Sequence, residues 1–271
     1  MSESAILRRF TTGEGLAVAV VRDAEAIAEL VLEQVEATLG SQPAALLCFA
    51  TGRTFTPFLR RLAEAVARRR VSLEHARATH LDEYAGLEPL APGSMSEELT
   101  AKCPPLLALW HAGRFLAVPG NGDAAALAAH QRRLAELGGV HLCLAGIGRN
   151  GHIAFNEPGT PLHQRLHRTR LAESTRVANQ GRFAGRSVPA EAVTLGPQDI
   201  LDARRAVMVA TGADKADAVR AMLEDPIGPA CPASVLRRHR NALLLLDVAA
   251  AARLTPRGEG QPAPDSRAGP L

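Results

Sequence analysis

The chain has 271 residues, 46% hydrophobic and 22% charged, which suits an ordinary globular protein able to bury one substantial core. A net charge of +3, spread over 31 Lys and Arg against 28 Asp and Glu, argues against a nucleic-acid partner. Aromatic residues make up only 3%, so the core is expected to be Leu, Val and Ala.

In chain order, residues 16–21 predict a strand and 24–38 a helix that stops at Gly40. Residues 44–50 read as a second strand, followed by a helix over 58–70. The end of a third strand falls at 79–82 and a fourth at 115–118. A helix over 123–137 ends at Gly138 and Gly139, and 140–147 is a buried strand. Two more strands are expected at 206–210 and 242–246. The alternation of strand and helix predicts a three-layer, doubly wound α/β fold: a mostly parallel, Rossmann-like sheet with helices on both faces. The reading is a single domain over residues 1–254, with a Pro-, Gly- and charge-rich disordered tail over 255–271.

The N-terminus lacks the apolar run of a secretory signal, and the apolar stretch 242–252 is broken by Asp247 and too short to span a bilayer. No membrane partner is expected. Cys48, Cys103, Cys143 and Cys231 lie far apart with no C-x-x-C pair, so no zinc site of the usual spacing is expected. Cys48 and Cys143 fall in apolar runs and read as buried strand residues. A reduced, cytoplasmic protein follows from this. The clusters 68–70 and 237–240, rich in Arg, read as solvated helix faces.

In a parallel sheet, ligands gather at the carboxyl ends of the strands, which directs attention to four loops. Thr51-Gly52-Arg53-Thr54 precedes a helix, where free amides, hydroxyls and a cation suit an anion; an ordinary N-cap turn is the plain alternative. Asp82 and Glu83 follow a strand. Two adjacent carboxylates repel if both are buried, so at least one should face solvent or work in a cleft, where a carboxylate can act as a general base. Gly146 to Pro158 carries Gly146, Gly148 and Gly151, which allow tight turning and close approach to a ligand, with His152 and Glu157 near enough to pair. Pro158 rules out the long helix of a dinucleotide loop. Farther along, the run Thr175 to Asn179, Arg182 and Lys215 offer further cations and polar groups, each by itself an ordinary surface residue.

Together these residues resemble a known family. Leu-Asp-Glu-Tyr-Ala-Gly-Leu at 81–87, Gly-His-Ile-Ala-Phe-Asn-Glu-Pro at 151–158, Thr-Arg-Val-Ala-Asn at 175–179, Ala-Val-Thr-Leu-Gly at 192–196 and Cys-Pro-Ala-Ser at 231–234 are similar to the glucosamine-6-phosphate deaminases. The similarity runs over roughly residues 5–250. The 151–158 run separates it from the related 6-phosphogluconolactonases, which share Gly-His and then diverge.

The resemblance implies conversion of glucosamine 6-phosphate and water to fructose 6-phosphate and ammonia, with a small-molecule substrate and neither metal nor organic cofactor. It implies that His152, supported by Glu157, assists ring opening, and that Asp82 moves a proton from C2 to C1. Thr51, Gly52, Arg53, Thr54, Arg182 and Lys215 would hold the phosphate, Gly151 would bring backbone to the substrate, and residues 160–182 would form a mobile lid.

The chain also departs from the family pattern. Asn150 stands where some members have Asp beside the catalytic His, which leaves His152 leaning on Glu157. Arg53 replaces a small residue and Phe55 a proline. Met95 follows Ser94 where a Tyr is often found, and one residue is inserted after Asn179. His167 and Thr169 replace the basic residues of an activator site, so no allosteric activation is expected. A galactosamine-6-phosphate deaminase/isomerase, a sugar-phosphate lactonase and an inactive sugar-phosphate sensor are the alternatives, and a homo-oligomer is left open.

Overall fold

The computed structural model describes residues 5–183 and 185–255. Its main sheet has eight strands in the order β1 (Ile6–Thr11), β2 (Ala17–Val21), β11 (Ala242–Asp247), β10 (Arg205–Ala210), β7 (Leu142–Gly146), β3 (Leu46–Phe49), β4 (Arg77–His80) and β6 (Phe115–Leu116). Every neighbouring pair from β2 to β6 is parallel, and only the edge strand β1 runs antiparallel. The expected doubly wound fold is therefore present. From β3 the chain moves to β4 and β6 on one side, then returns to β7 on the other. The strand order thus reverses between β3 and β7, which opens a crevice at their carboxyl ends.

The central strands are apolar along their whole length because both faces are covered. Leu46, Leu47, Cys48 and Phe49 are all buried, as are Leu142, Cys143, Leu144 and Ala145. Cys48 and Cys143 are register partners on neighbouring strands, so the reading of buried strand cysteines holds. Among the described residues no helix is long and apolar enough to cross a membrane.

Helix α1 (Ala24–Ser41) is capped by Asp23, whose carboxylate accepts from the Ala26 N–H at 2.8 Å. It runs through Gly40 rather than stopping there. Buried Leu39 keeps the last turn packed, and the end falls only at Gln42, where Pro43 disfavours further helix. Helix α2 (Thr56–Ala67) ends before the arginine cluster at 68–70. All three arginines are exposed, as expected, but they lie just past the helix, and Arg70 reaches back to Glu29 and Glu36 on α1, tying the two helices together. Arg237 departs from the reading of a solvated helix face. Its side chain is only 11% exposed, donates to the Met222 and Asp225 carbonyls and pairs with Glu14, pinning the β1–β2 hairpin.

The sequence reading did not anticipate a second sheet. Strands β5 (Asp82–Tyr84), β9 (Glu191–Thr194) and β8 (His167–Arg170) pair antiparallel in the order β5-β9-β8. What reads as one strand end at 79–82 is a handover: β4 stops at His80, the Leu81 N–H bonds to Phe49 O, and the Leu81 carbonyl accepts from Leu195. A small core of Tyr84, Met95, Phe155, Leu171, Phe183, Val188 and Ala192 lies beside this sheet, separate from the main core. Of the tail expected at 255–271, only Thr255 is described, and it is bonded to Glu224; the remainder lies outside the described residues.

Candidate active site

The loop after β7 is folded around its histidine. The Gly148 N–H donates to the His152 carbonyl at 2.8 Å, and a Cβ on Gly148 would lie 2.3 Å from the His152 ring. Gly151, with φ of 85°, lies against Cys231, where a Cβ would meet Sγ at 2.8 Å. Asn156 is wholly buried and ties the loop down by donating to the carbonyls of Ile153 and Leu195. The glycines thus make room for side chains. Gly151, expected to bring backbone to the substrate, is buried beneath the loop.

His152 Nδ1 stands 3.5 Å from Glu157 Oε2, so the expected pair meets. The same Glu157 oxygen accepts from the Asn150 amide at 2.7 Å, and its other oxygen accepts from the Thr175 hydroxyl at 2.6 Å. Burial opposes ionisation of Glu157, yet the nearby His152 and the bonds from Thr175 and Asn150 outweigh it and hold the group at about 2. Asn150 therefore supports Glu157 as a donor. An aspartate there would set two carboxylates against each other, so asparagine suits this geometry.

Asp82 and Glu83 are both buried, contrary to the solvent-facing alternative. They avoid collision because β5 points successive side chains to opposite faces. Glu83 turns to the start of α3 (Met95–Lys102), where it accepts from the Met95 N–H at 2.9 Å and from Tyr84 N–H at 2.9 Å. Burial still raises it to about 7. Asp82 is also raised to about 7: burial comes first, then the negative charge of Glu83, with Glu98 adding to it and Arg182 opposing. His80 beneath it is neutral, held down to about 3 by burial. Its Nδ1 lies 2.8 Å from the Asp82 carbonyl and its Nε2 accepts from Val118 N–H, an arrangement that fixes the backbone under Asp82.

The anion candidates converge above β3, β7 and β10. In the loops just beyond β3 and β10 stands a glycine with positive φ, Gly52 at 92° and Gly212 at 93°, each followed by a 3-10 turn and a helix. Arg53 and half-buried Thr54 lie in the first turn and Lys215 in the second. Lys215 is held below its ordinary value by burial and then by the nearby cations Arg149 and Arg53, with Asp214 opposing. Arg182, despite the inserted residue before it, reaches the site: it pairs with Glu98 at 2.5 Å and donates to Met95 Sδ. Thr51 donates to the same sulfur at 3.1 Å, so Met95 occupies space between them. Sequence alone does not single out Glu98 or His80; Glu98 sits in the first turn of α3 beside Glu97, where acidic residues are common for the helix's own sake.

Of the expected lid, residues 167–170 are strand β8 and fixed in the second sheet. Helix α4 (Glu173–Asn179) and the 3-10 turn Gln180–Phe183 lie over the site, held by Phe183 against Tyr84 with ring centroids 5.0 Å apart.

A family model described as glucosamine-6-phosphate isomerases/6-phosphogluconolactonase matches residues 22–245. The chain belongs to that family. Within the family, the chain is 41% identical over 241 residues to the glucosamine-6-phosphate deaminase of Streptomyces avermitilis, covering 88% of this chain and 92% of that protein. The corresponding enzyme of Streptomyces coelicolor is 40% identical over the same shares. A solved structure described as a monomeric glucosamine-6-phosphate deaminase superposes with a TM-score of 0.80 at 33% identity, covering 87% of this chain and 99% of that one. A 6-phosphogluconolactonase from Trypanosoma brucei, at 20% identity and a TM-score of 0.68, shares the fold.

Proposed function

We propose that this family member is a glucosamine-6-phosphate deaminase, converting its substrate and water to fructose 6-phosphate and ammonia. One observation carries the assignment of roles: Asp82, a buried carboxyl raised to about 7, feels the charges of Arg182 and Glu98, which pair beside Gly52 at the strand-end crevice. Thr51, Gly52, Arg53, Thr54, Arg182 and Lys215 receive the phosphate. His152, oriented by Glu157 and through it by Asn150, moves the proton that opens the pyranose ring. Ring opening comes first because the C2 proton is acidic only once C1 is an aldehyde.

Asp82 then takes the C2 proton, leaving an enolamine, and returns it to C1. The resulting ketimine adds water and expels ammonia. A carboxyl with a value near the working pH suits this double duty, being able both to accept and to release a proton. The four described cysteines are free and buried, as suits a reducing cytoplasm, and a single chain supplies every group named, so the mechanism needs no partner subunit.

The test is a substrate panel of glucosamine 6-phosphate, galactosamine 6-phosphate and 6-phosphogluconolactone. Ammonia and ketose phosphate should form from glucosamine 6-phosphate, with galactosamine 6-phosphate slower. Lactone hydrolysis without ammonia release would replace this reading with the lactonase one.

A further inference from the structure

The cradle proposed above for phosphate already holds an anion. Glu98, in the first turn of α3, accepts from the Gly52 N–H through Oε1 at 3.0 Å and pairs with the Arg182 guanidinium through Oε2 at 2.5 Å. These are a positive-φ glycine amide at a strand end and a cation over the crevice, the two kinds of donor that an incoming phosphate needs. The carboxylate is 12% exposed, and the cations around it hold its value below the ordinary carboxylate range despite burial, so it carries charge there. Lys102, one turn along the same helix, donates to Glu98 Oε1 at 2.6 Å and also to the Thr56 hydroxyl at 2.9 Å.

We infer that Glu98 is a built-in occupant of the phosphate cradle, which sugar phosphate must displace from Gly52 and Arg182, so that this residue sets the affinity for the phosphate group. The geometry provides both end states. With the cradle empty, Glu98 neutralises Arg182 and satisfies the Gly52 amide. When phosphate arrives, one rotation of the side chain leaves Glu98 paired to Lys102 alone, as an ordinary i, i+4 helix pair. A dianion with three acceptor oxygens outcompetes a single carboxylate, whereas a carboxylate-bearing sugar acid does not, so the same device favours phosphate over carboxylate ligands. Apparent affinity falls by the fraction of time that the cradle is free.

This inference rests on the phosphate site proposed above, but its test does not require turnover. Calorimetric titration with inorganic phosphate should give a dissociation constant about tenfold lower for Glu98→Gln and Glu98→Ala than for wild type, as expected if the cradle is free about a tenth of the time. KM for glucosamine 6-phosphate should fall similarly, as expected on removal of a competitor for the ground-state phosphate site. Phosphate binding that is unchanged or weaker in both folded variants would overturn the proposal and leave Glu98 as a structural tie for Arg182.

A structure of the wild-type protein with phosphate bound gives a check that needs no variant. Glu98 should have left both Gly52 and Arg182, and phosphate bound with those two contacts intact would overturn the idea. Tighter phosphate binding in the variants without any ammonia release would instead sink the deaminase reading and leave this one standing.

Discussion

At the residue scale, two carboxylates of the site are driven in opposite directions. Glu157 is ionised by its donors and Asp82 is held near 7 by burial. If Asp82 must be ionised to take the C2 proton, kcat/KM should rise with pH and level off above about 7; a flat profile down to about pH 5 would remove it from that role. The raised value also fixes a stability effect. Between the ordinary carboxyl range and about 7 the folded protein holds a proton that the unfolded chain has released, so wild-type stability falls as pH rises through that window. Asp82→Asn should therefore unfold at a higher denaturant concentration at pH 8, by on the order of 1–3 kcal/mol, with the gain vanishing as pH is lowered to about 4. At Asn150 the expectation is reversed. Asn150→Asp should cost about 1–3 kcal/mol at neutral pH, because a second carboxylate lands beside Glu157, and should slow turnover by misplacing His152. Equal stability of the two forms would show that the loop relaxes freely. The His152–Glu157 pair was legible from five-residue spacing and loop composition. Glu98, whose partners lie 46 and 84 residues away in sequence, was not.

At the element scale, strands buried on both faces announce themselves as apolar runs, which is why β3, β7, β10 and β11 were readable. The second sheet was hidden because its strands are short and rich in polar residues: His167–Arg170 reads as loop, and Asp82–Tyr84 reads as the loop that follows β4. Its consequence is that α4 and the turn after it form a small flap seated on the Tyr84–Phe155–Phe183 core, while the expected lid segment at 167–170 is pinned in β8. Phe183→Ala should detach that flap. Hydrogen exchange should then speed up over residues 173–183 and stay slow in β7, and KM should rise through loss of Arg182. Uniform loss of protection across both sheets would mean that the flap is part of the main cooperative unit.

At the scale of the whole molecule, the strand order places the chemistry. The reversal between β3 and β7 leaves their carboxyl ends open, the matching glycine turns after β3 and β10 bring Arg53 and Lys215 to one crevice, and β5 carries Asp82 in from the second sheet. Element order in the sequence announced a parallel sheet, but the reversal arises from which strands pair, a matter of long-range packing that local patterning does not encode. The most direct measurement is the release of ammonia and fructose 6-phosphate from glucosamine 6-phosphate by wild type and Asp82→Asn, over about pH 5 to 9. The predicted result is equimolar release by wild type with an acid limb near 7, and at least a hundredfold slower release by the variant, about the contribution of one general base. Wild type releasing no ammonia, or the variant matching it, would contradict the account.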